Sequence, residues 1–320
     1  MSPGKFPLPA TDLPGAVQIA LGATLGLLVL ASLVCFFLRR AKPDKDWTEL
    51  TARINTWWCL CIGFTLAVAF NTTVSLVVLA FVCFMAFKEF LSCLPTRRSD
   101  HGVLVAAYLT IPLQFYWIYI AWYGMYIIFI PVYAFLFLTM RMALTGETRG
   151  FLASAGALQW GLMTTVFCLS HLGYLLLLPN DSDLSYAGVS LLFFIVFTTQ
   201  TNDICQYLWG KALGAHKVTP LVSPNKTWEG LIGGVLSSVA IACLIGPYLT
   251  PLRGWHVPAV GLLIGCAGFL GDIVMSAVKR DLGIKDYGTV LPGHGGVLDR
   301  VDSLIFTAPL FFHYLRYFYY

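Results

Sequence analysis

Ten apolar stretches, each near the length a helix needs to cross a bilayer, dominate this 320-residue chain. They run roughly over 14–38, 54–70, 73–94, 102–120, 122–139, 151–178, 186–209, 230–250, 257–278 and 303–320, and one helical crossing takes about 20 residues. Charged residues make up 11% of the chain, against about a quarter in soluble domains. A water-soluble fold of this length has too much surface for so few charges. The pattern therefore predicts an all-α, polytopic integral membrane protein. Its longest polar loops are 39–53, 210–228 and 279–302, and neither internal repeats nor low-complexity tracts are visible.

The fourth and fifth stretches share a tight bend near Trp122-Tyr123-Gly124 and could form one span plus a re-entrant piece. Arg97 and Arg98 before the pair, and Arg141 and Arg149 after it, favour two full spans. Basic loops mark the cytoplasmic side, and an even number of spans returns the chain to that side. The first stretch is too long for a signal-peptide core and is followed by Arg39-Arg40-Ala41-Lys42 rather than a small-residue cleavage site. It is read as a retained helix with its N-terminus outside. Ten spans then place 17 of the 20 Lys and Arg residues on one side and put both termini on the other. The expected location is a bacterial inner membrane, with the polar loops in the cytoplasm.

The net charge of +4 is too small to suggest nucleic acid as a partner. The nine cysteines lie in or beside apolar runs without metal-binding spacing, and read as small membrane-embedded hydrophobes.

Four places break the apolar pattern. The seventh stretch carries Thr198-Thr199-Gln200-Thr201-Asn202-Asp203, then Gln206. Such groups often join helices. The charge on Asp203 favours instead a cavity wall formed by Asn202, Asp203, Gln206 and Ser276. The following loop holds Ser223, Asn225 and Lys226. In the ninth stretch Asp272, Ser276, Lys279 and Arg280 share one helical face. A carboxylate within a span costs a few kcal/mol and needs a partner or a polar cavity. A structural pair with Lys279 or Arg280 is one reading; a metal ligand is the other.

The last polar loop contains Lys285, then Pro292-Gly293-His294-Gly295-Gly296, then Asp299, Arg300 and Asp302. Asp at a helix start is a natural cap, which accounts for one of the two aspartates better than for both. With Asp272 they form an oxygen-donor set suited to Mg²⁺. Gly295 and Gly296 let backbone approach a ligand and aim N–H groups at phosphate. Lys226, Lys279, Arg280, Lys285 and Arg300 supply neutralising charge.

Ser276-Ala277-Val278-Lys279-Arg280, Lys285-Asp286 and Leu291 through Asp302 together resemble the signature of the phosphatidate cytidylyltransferases, the CDP-diacylglycerol synthases. Every defined position of S-x-hydrophobic-K-R-x4-K-D…P-x-H-G-G-x-x-D-R-x-D is met. Ser223 through Gly230 match a second family segment. The resemblance is sharp over about 186–303, which divides the chain into six N-terminal spans (1–185) and a catalytic membrane region (186–320). It implies transfer of a cytidylyl group from CTP to phosphatidate, releasing pyrophosphate, with Mg²⁺ at Asp272, Asp299 and Asp302. A monovalent cation such as K⁺ shares that site. Ser223, Asn225, Lys226, Lys279 and Arg280 match positions around the nucleotide and lipid phosphates, and His294 is a further phosphate contact or loop former. A homodimer is the expected assembly. One position departs: after Asp203 the family continues with small residues, approximately D-x-G-A-Y, where this chain has Ile204-Cys205-Gln206-Tyr207. Gln206 thus points to a divergent branch and leaves the exact lipid substrate open.

The implied chemistry needs no general base, because a phosphate monoester is largely ionised at pH 7. It needs neutralisation and positioning of anions. The competing readings are a CTP-dependent lipid kinase, a nucleotidyltransferase for another lipid phosphate such as an isoprenoid, and a transporter. Transport is disfavoured by the gathering of polar residues at one face and the absence of an inverted repeat.

Overall fold

A computed structural model of the chain describes residues 13–43, 46–94, 101–178, 188–291, 293 and 295–320. Ten helices account for nearly all of it. They are α1 (Gly15–Ala41), α2 (Thr48–Ala69), α3 (Thr72–Ser92), α4 (His101–Tyr119), α5 (Tyr123–Ala143), α6 (Phe151–Leu175), α7 (Gly188–Leu213), α8 (Trp228–Leu249), α9 (His256–Asp281) and α10 (Leu298–Phe318). Among the described residues, α1 to α9 are long and apolar enough to cross a membrane. Helices are the natural outcome for such runs, since hydrocarbon offers the backbone no hydrogen-bond partner and each peptide group must pair within its own segment.

The two short apolar stretches are separate helices. The chain reverses between α4 and α5 at Ala121, a non-glycine residue with φ 54°, where Trp122 N–H donates to the Trp117 carbonyl at 3.0 Å. The all-α expectation misses one small element. Between α7 and α8 the chain forms an antiparallel hairpin of β1 (Lys217–Thr219) and β2 (Ser223–Thr227). Within α5, a π-helical turn spans Phe129–Ala134. It contains Pro131, which has no N–H to give the α-helical ladder. A second π turn, Leu162–Cys168, lies within α6.

Helix starts follow local chemistry. Asn71 Oδ1 accepts from Val74 N–H at 2.8 Å at the head of α3. Thr227 Oγ1 accepts from Gly230 N–H at 3.1 Å where β2 passes into α8. Each satisfies one of the free amides that begin a helix.

Helices α7, α8, α9 and α10 pack as a group, and small residues bring them close. A Cβ on Gly261 of α9 would lie 2.7 Å from the Val239 Cα of α8, and one on Gly271 would lie 2.9 Å from the Asp302 carbonyl of α10. Tight packing of this kind drives association where lipid removes any hydrophobic preference. Helix α10 also packs against α3 and α6, so a single apolar core runs on across both parts of the chain.

Candidate active site

The polar residues singled out by sequence gather where α3, α7 and α9 end and α8 and α10 begin. Arg280, near the end of α9, donates from Nε to the Val222 carbonyl in the hairpin at 3.2 Å and from Nη1 to the Ile284 carbonyl at 3.4 Å. It holds two loops together. Lys285 and Asn225 are exposed around this cluster, and Ser223 is half-buried.

Asp272 does not pair with Lys279 or Arg280. Its partner is Lys226 of the hairpin, with Nζ 2.5 Å from Oδ2. Ser276, one turn on, donates to Oδ1 at 3.2 Å. Lys226 Nζ also donates to Gln206 Oε1 at 3.1 Å, and Nζ lies 5.6 Å from the Phe269 ring centroid. Burial alone would lower the Lys226 pKa, but the Asp272 and Asp203 carboxylates outweigh it and hold the ammonium above its ordinary value.

Asp299 is buried at the head of α10 and has three partners. Oδ1 accepts from Lys279 Nζ at 3.0 Å. Oδ2 accepts from the backbone amides of Tyr287 and Gly296, each at 2.9 Å. The Gly296 amide, expected to face phosphate, is therefore engaged by a carboxylate. A Cβ on Gly295 would lie 2.8 Å from Asp299 Oδ2, and Gly295 has φ 78°. Glycine serves here for close approach to Asp299 as well as for the turn. Tyr287 closes the loop from the other side, donating from its hydroxyl to the Met275 carbonyl at 3.2 Å. Burial pushes its phenol up, and the charges on Asp299 and Asp302 add to the effect. His294 lies outside the described residues.

Asp302, one turn beyond Asp299, is 8% exposed and feels the like charges of Asp272 and Asp203. Its Oδ1 accepts from the Ser303 amide at 2.9 Å. Asp203 Oδ1 is buried without a hydrogen-bond partner among the described residues, and so is the Arg300 Nε. Asn202 is fully buried. Its Oδ1 accepts from Ser238 Oγ at 3.0 Å and its Nδ2 donates to the Gly265 carbonyl at 3.4 Å. That amide joins α7 to α8 and α9, so it serves as helix–helix glue. Gln206 is also buried and lies over Gly234, where a Cβ would collide with its Cγ.

Sequence reasoning passed over Glu89. This α3 carboxylate accepts from Val297 N–H at 2.9 Å and from Leu298 N–H at 2.8 Å. The available signal was an acid in an otherwise apolar helix, next to a basic residue that marked the loop side.

The donor set is compatible with a hard divalent cation. Aspartate oxygens dominate, one is orphaned and buried, and three carboxylates crowd one another. As placed, no three His, Cys, Asp or Glu side chains converge in metal-holding positions among the described residues. Asp272 and Asp299 are instead neutralised by Lys226 and Lys279.

Comparison with known proteins gives this arrangement a family. A protein of Escherichia coli (strain K12), called "Uncharacterized protein YnbB", is 43% identical over 301 residues, covering 94% of this chain and 99% of that protein. A phosphatidate cytidylyltransferase of Brucella suis is 44% identical over 136 residues, and one of Staphylococcus epidermidis is 36% identical over 158. These two matches cover 42% and 48% of this chain, and 49% and 59% of the relatives' lengths. The cytidylyltransferase family model matches residues 51–318, which include the hairpin, the Asp272 helix face and the glycine loop. The chain belongs to the cytidylyltransferase family.

Proposed function

We propose that this protein transfers the cytidylyl group of CTP to phosphatidate or a close lipid phosphate, giving a CDP-lipid and pyrophosphate. One observation carries the reading: Asp203, Asp272 and Asp302 lie within electrostatic reach of one another and of Lys226, at the end of the bundle that also holds Lys279 and Arg300. The motif from Ser276 to Asp302 and the similarity to proteins named phosphatidate cytidylyltransferase support the same substrate pair.

The site residues act on charge. The lipid phosphate is already ionised and needs no base. Lys226 and Lys279 are held by Asp272 and Asp299 at the loop end of the helices, where they can meet an incoming polyphosphate. Arg300, with Nε unpartnered among the described residues, is the natural third cation. Mg²⁺ is the metal we assign; Asp272, Asp299 and Asp302 would hold it once Lys226 and Lys279 turn from Asp272 and Asp299 to the polyphosphate, and when bound it would supply charge neutralisation at the triphosphate. K⁺ is the monovalent cation assigned beside it. The acyl chains remain in the bilayer while the headgroup meets CTP at the loop face, which we place in the cytoplasm of a bacterial inner membrane.

Mass spectrometry of the lipid product tests the reading. Purified protein given CTP, Mg²⁺ and phosphatidate should yield lipid heavier by a cytidylyl group. Lipid heavier by one phosphoryl group would establish a kinase instead.

A further inference from the structure

The glycine loop and the head of α10 are held from outside their own part of the chain. Glu89 stands near the end of α3 and is 6% exposed. Its two carboxylate oxygens take one backbone amide each, from Val297 and Leu298. Those amides lie at the start of α10, just before Asp299, Arg300 and Asp302. The glycine loop is shaped around the same carboxylate. A Cβ on Gly296 would collide with Glu89 Oε2, and one on Gly288 would lie 3.0 Å from Oε1. The surrounding surface of α3 follows the same course: Cys93 Sγ donates to the Tyr287 carbonyl at 3.5 Å, and the Phe90 and Tyr287 rings lie 6.5 Å apart. Asp299 then holds the neighbouring Gly296 and Tyr287 amides. Two carboxylates from different helices thus share the loop amides between them.

We propose that Glu89 is a positioning residue for the reaction: it fixes the height and angle of the first turn of α10, and through it the placement of Asp299, Arg300 and Asp302. This rests on the function proposed above. Two observations support a positional role over simple packing. Both oxygens are committed to amides of one short segment, and two glycines, Gly296 beside that segment and Gly288 earlier in the loop, leave space for the carboxylate. A charged acceptor at a helix start also suits the dipole there.

The test compares wild type with Glu89→Gln and Glu89→Asp in purified full-length protein. Glutamine keeps one acceptor and presents an N–H₂ group to the other amide. Aspartate keeps both acceptors on a shorter stem. For Glu89→Gln we expect KM for CTP to rise roughly fivefold or more, with partial recovery in Glu89→Asp. Amide hydrogen exchange across 288–300 should accelerate by about tenfold in Glu89→Gln, while exchange across α8 stays unchanged. An unchanged KM with rate loss matching the loss of folded protein would overturn the proposal and leave Glu89 a packing residue. So would exchange across 288–300 within about twofold of wild type. Wild-type protein that moves no part of CTP into lipid would contradict the proposed function; the exchange comparison would still decide whether Glu89 holds the loop.

Discussion

Lys226 of the β hairpin reaches Asp272, more than two turns inside the end of α9, with Nζ 2.5 Å from Oδ2. The contact draws the hairpin over the carboxylate cluster. Breaking it leaves a partly buried charge unmatched. Lys226→Met and Asp272→Asn should each cost about 1.5–3 kcal/mol of stability, the size of a hydrogen bond to a charged group. The double variant should cost clearly less than the sum, because both changes remove one interaction. Urea or thermal unfolding in detergent measures the cycle; strict additivity would mean the pair contributes nothing.

The same contact sets a pH dependence. The Lys226 pKa is raised in the folded protein, so its contribution to stability is complete below the unfolded lysine value of about 10.4. It is lost as pH rises through the folded value. The unfolding midpoint should therefore fall above about pH 10.4 by more in wild type than in Lys226→Met. Parallel curves for the two proteins would contradict this assignment.

Asp299 and Asp302 stand one turn apart on α10 and should respond oppositely. Asp299→Ala strands the Tyr287 and Gly296 amides and the Lys279 ammonium, at about 1–3 kcal/mol for each buried group left unpaired. Asp302→Asn replaces an acid whose ionisation is opposed by burial and then by the Asp272 and Asp203 carboxylates and should leave the unfolding midpoint equal or higher. Both variants should lose turnover by roughly a hundredfold or more. A destabilised Asp302→Asn, or one with normal turnover, would remove Asp302 from the site.

Gln206 and Gly234 form a matched pair, because the glutamine side chain occupies the space a Cβ at Gly234 would need. Gly234→Ala should displace Gln206 and release Lys226 from one of its two polar contacts. Gln206→Ala should retain the reaction and change which lipid phosphates are accepted, read as kcat/KM over a panel of acceptors. An unchanged panel would assign Gln206 to helix packing alone.

The fold and the site were legible in the sequence to different depths. Apolar run length and the placement of Arg97, Arg98, Arg141 and Arg149 were enough for ten helices, but among the described residues only α1 to α9 are long and apolar enough to cross a membrane, because α10 opens on Asp299, Arg300 and Asp302 and carries His313 and Arg316. The spacing from Ser276 to Asp302 located the cluster because its members lie on one helix face, one loop and one helix start. The Lys226–Asp272 pair was hidden, because it joins segments far apart in sequence and competed with nearer cations at Lys279 and Arg280. The glycine loop was read as facing phosphate, whereas Gly296 gives its amide to Asp299. Glu89 was overlooked because its role depends on where α10 begins in space.

The basic loops predict the sidedness, which can be measured directly. The nine free cysteines must first be replaced. New cysteines at positions 217 and 289 should then react only from the cytoplasmic side, and one at 253 only from outside. Labelling of 217 and 289 from opposite sides would dissolve the shared site.

The central claim is attack at the α-phosphorus of CTP, and paired labels test it most directly. Purified protein with phosphatidate and Mg²⁺ should move α-labelled phosphorus into lipid and release γ label as pyrophosphate. Lipid carrying γ label and no α label would contradict the account and make the protein a lipid kinase. Lipid carrying neither label, with phosphatidate and with other lipid phosphates alike, would contradict it as well.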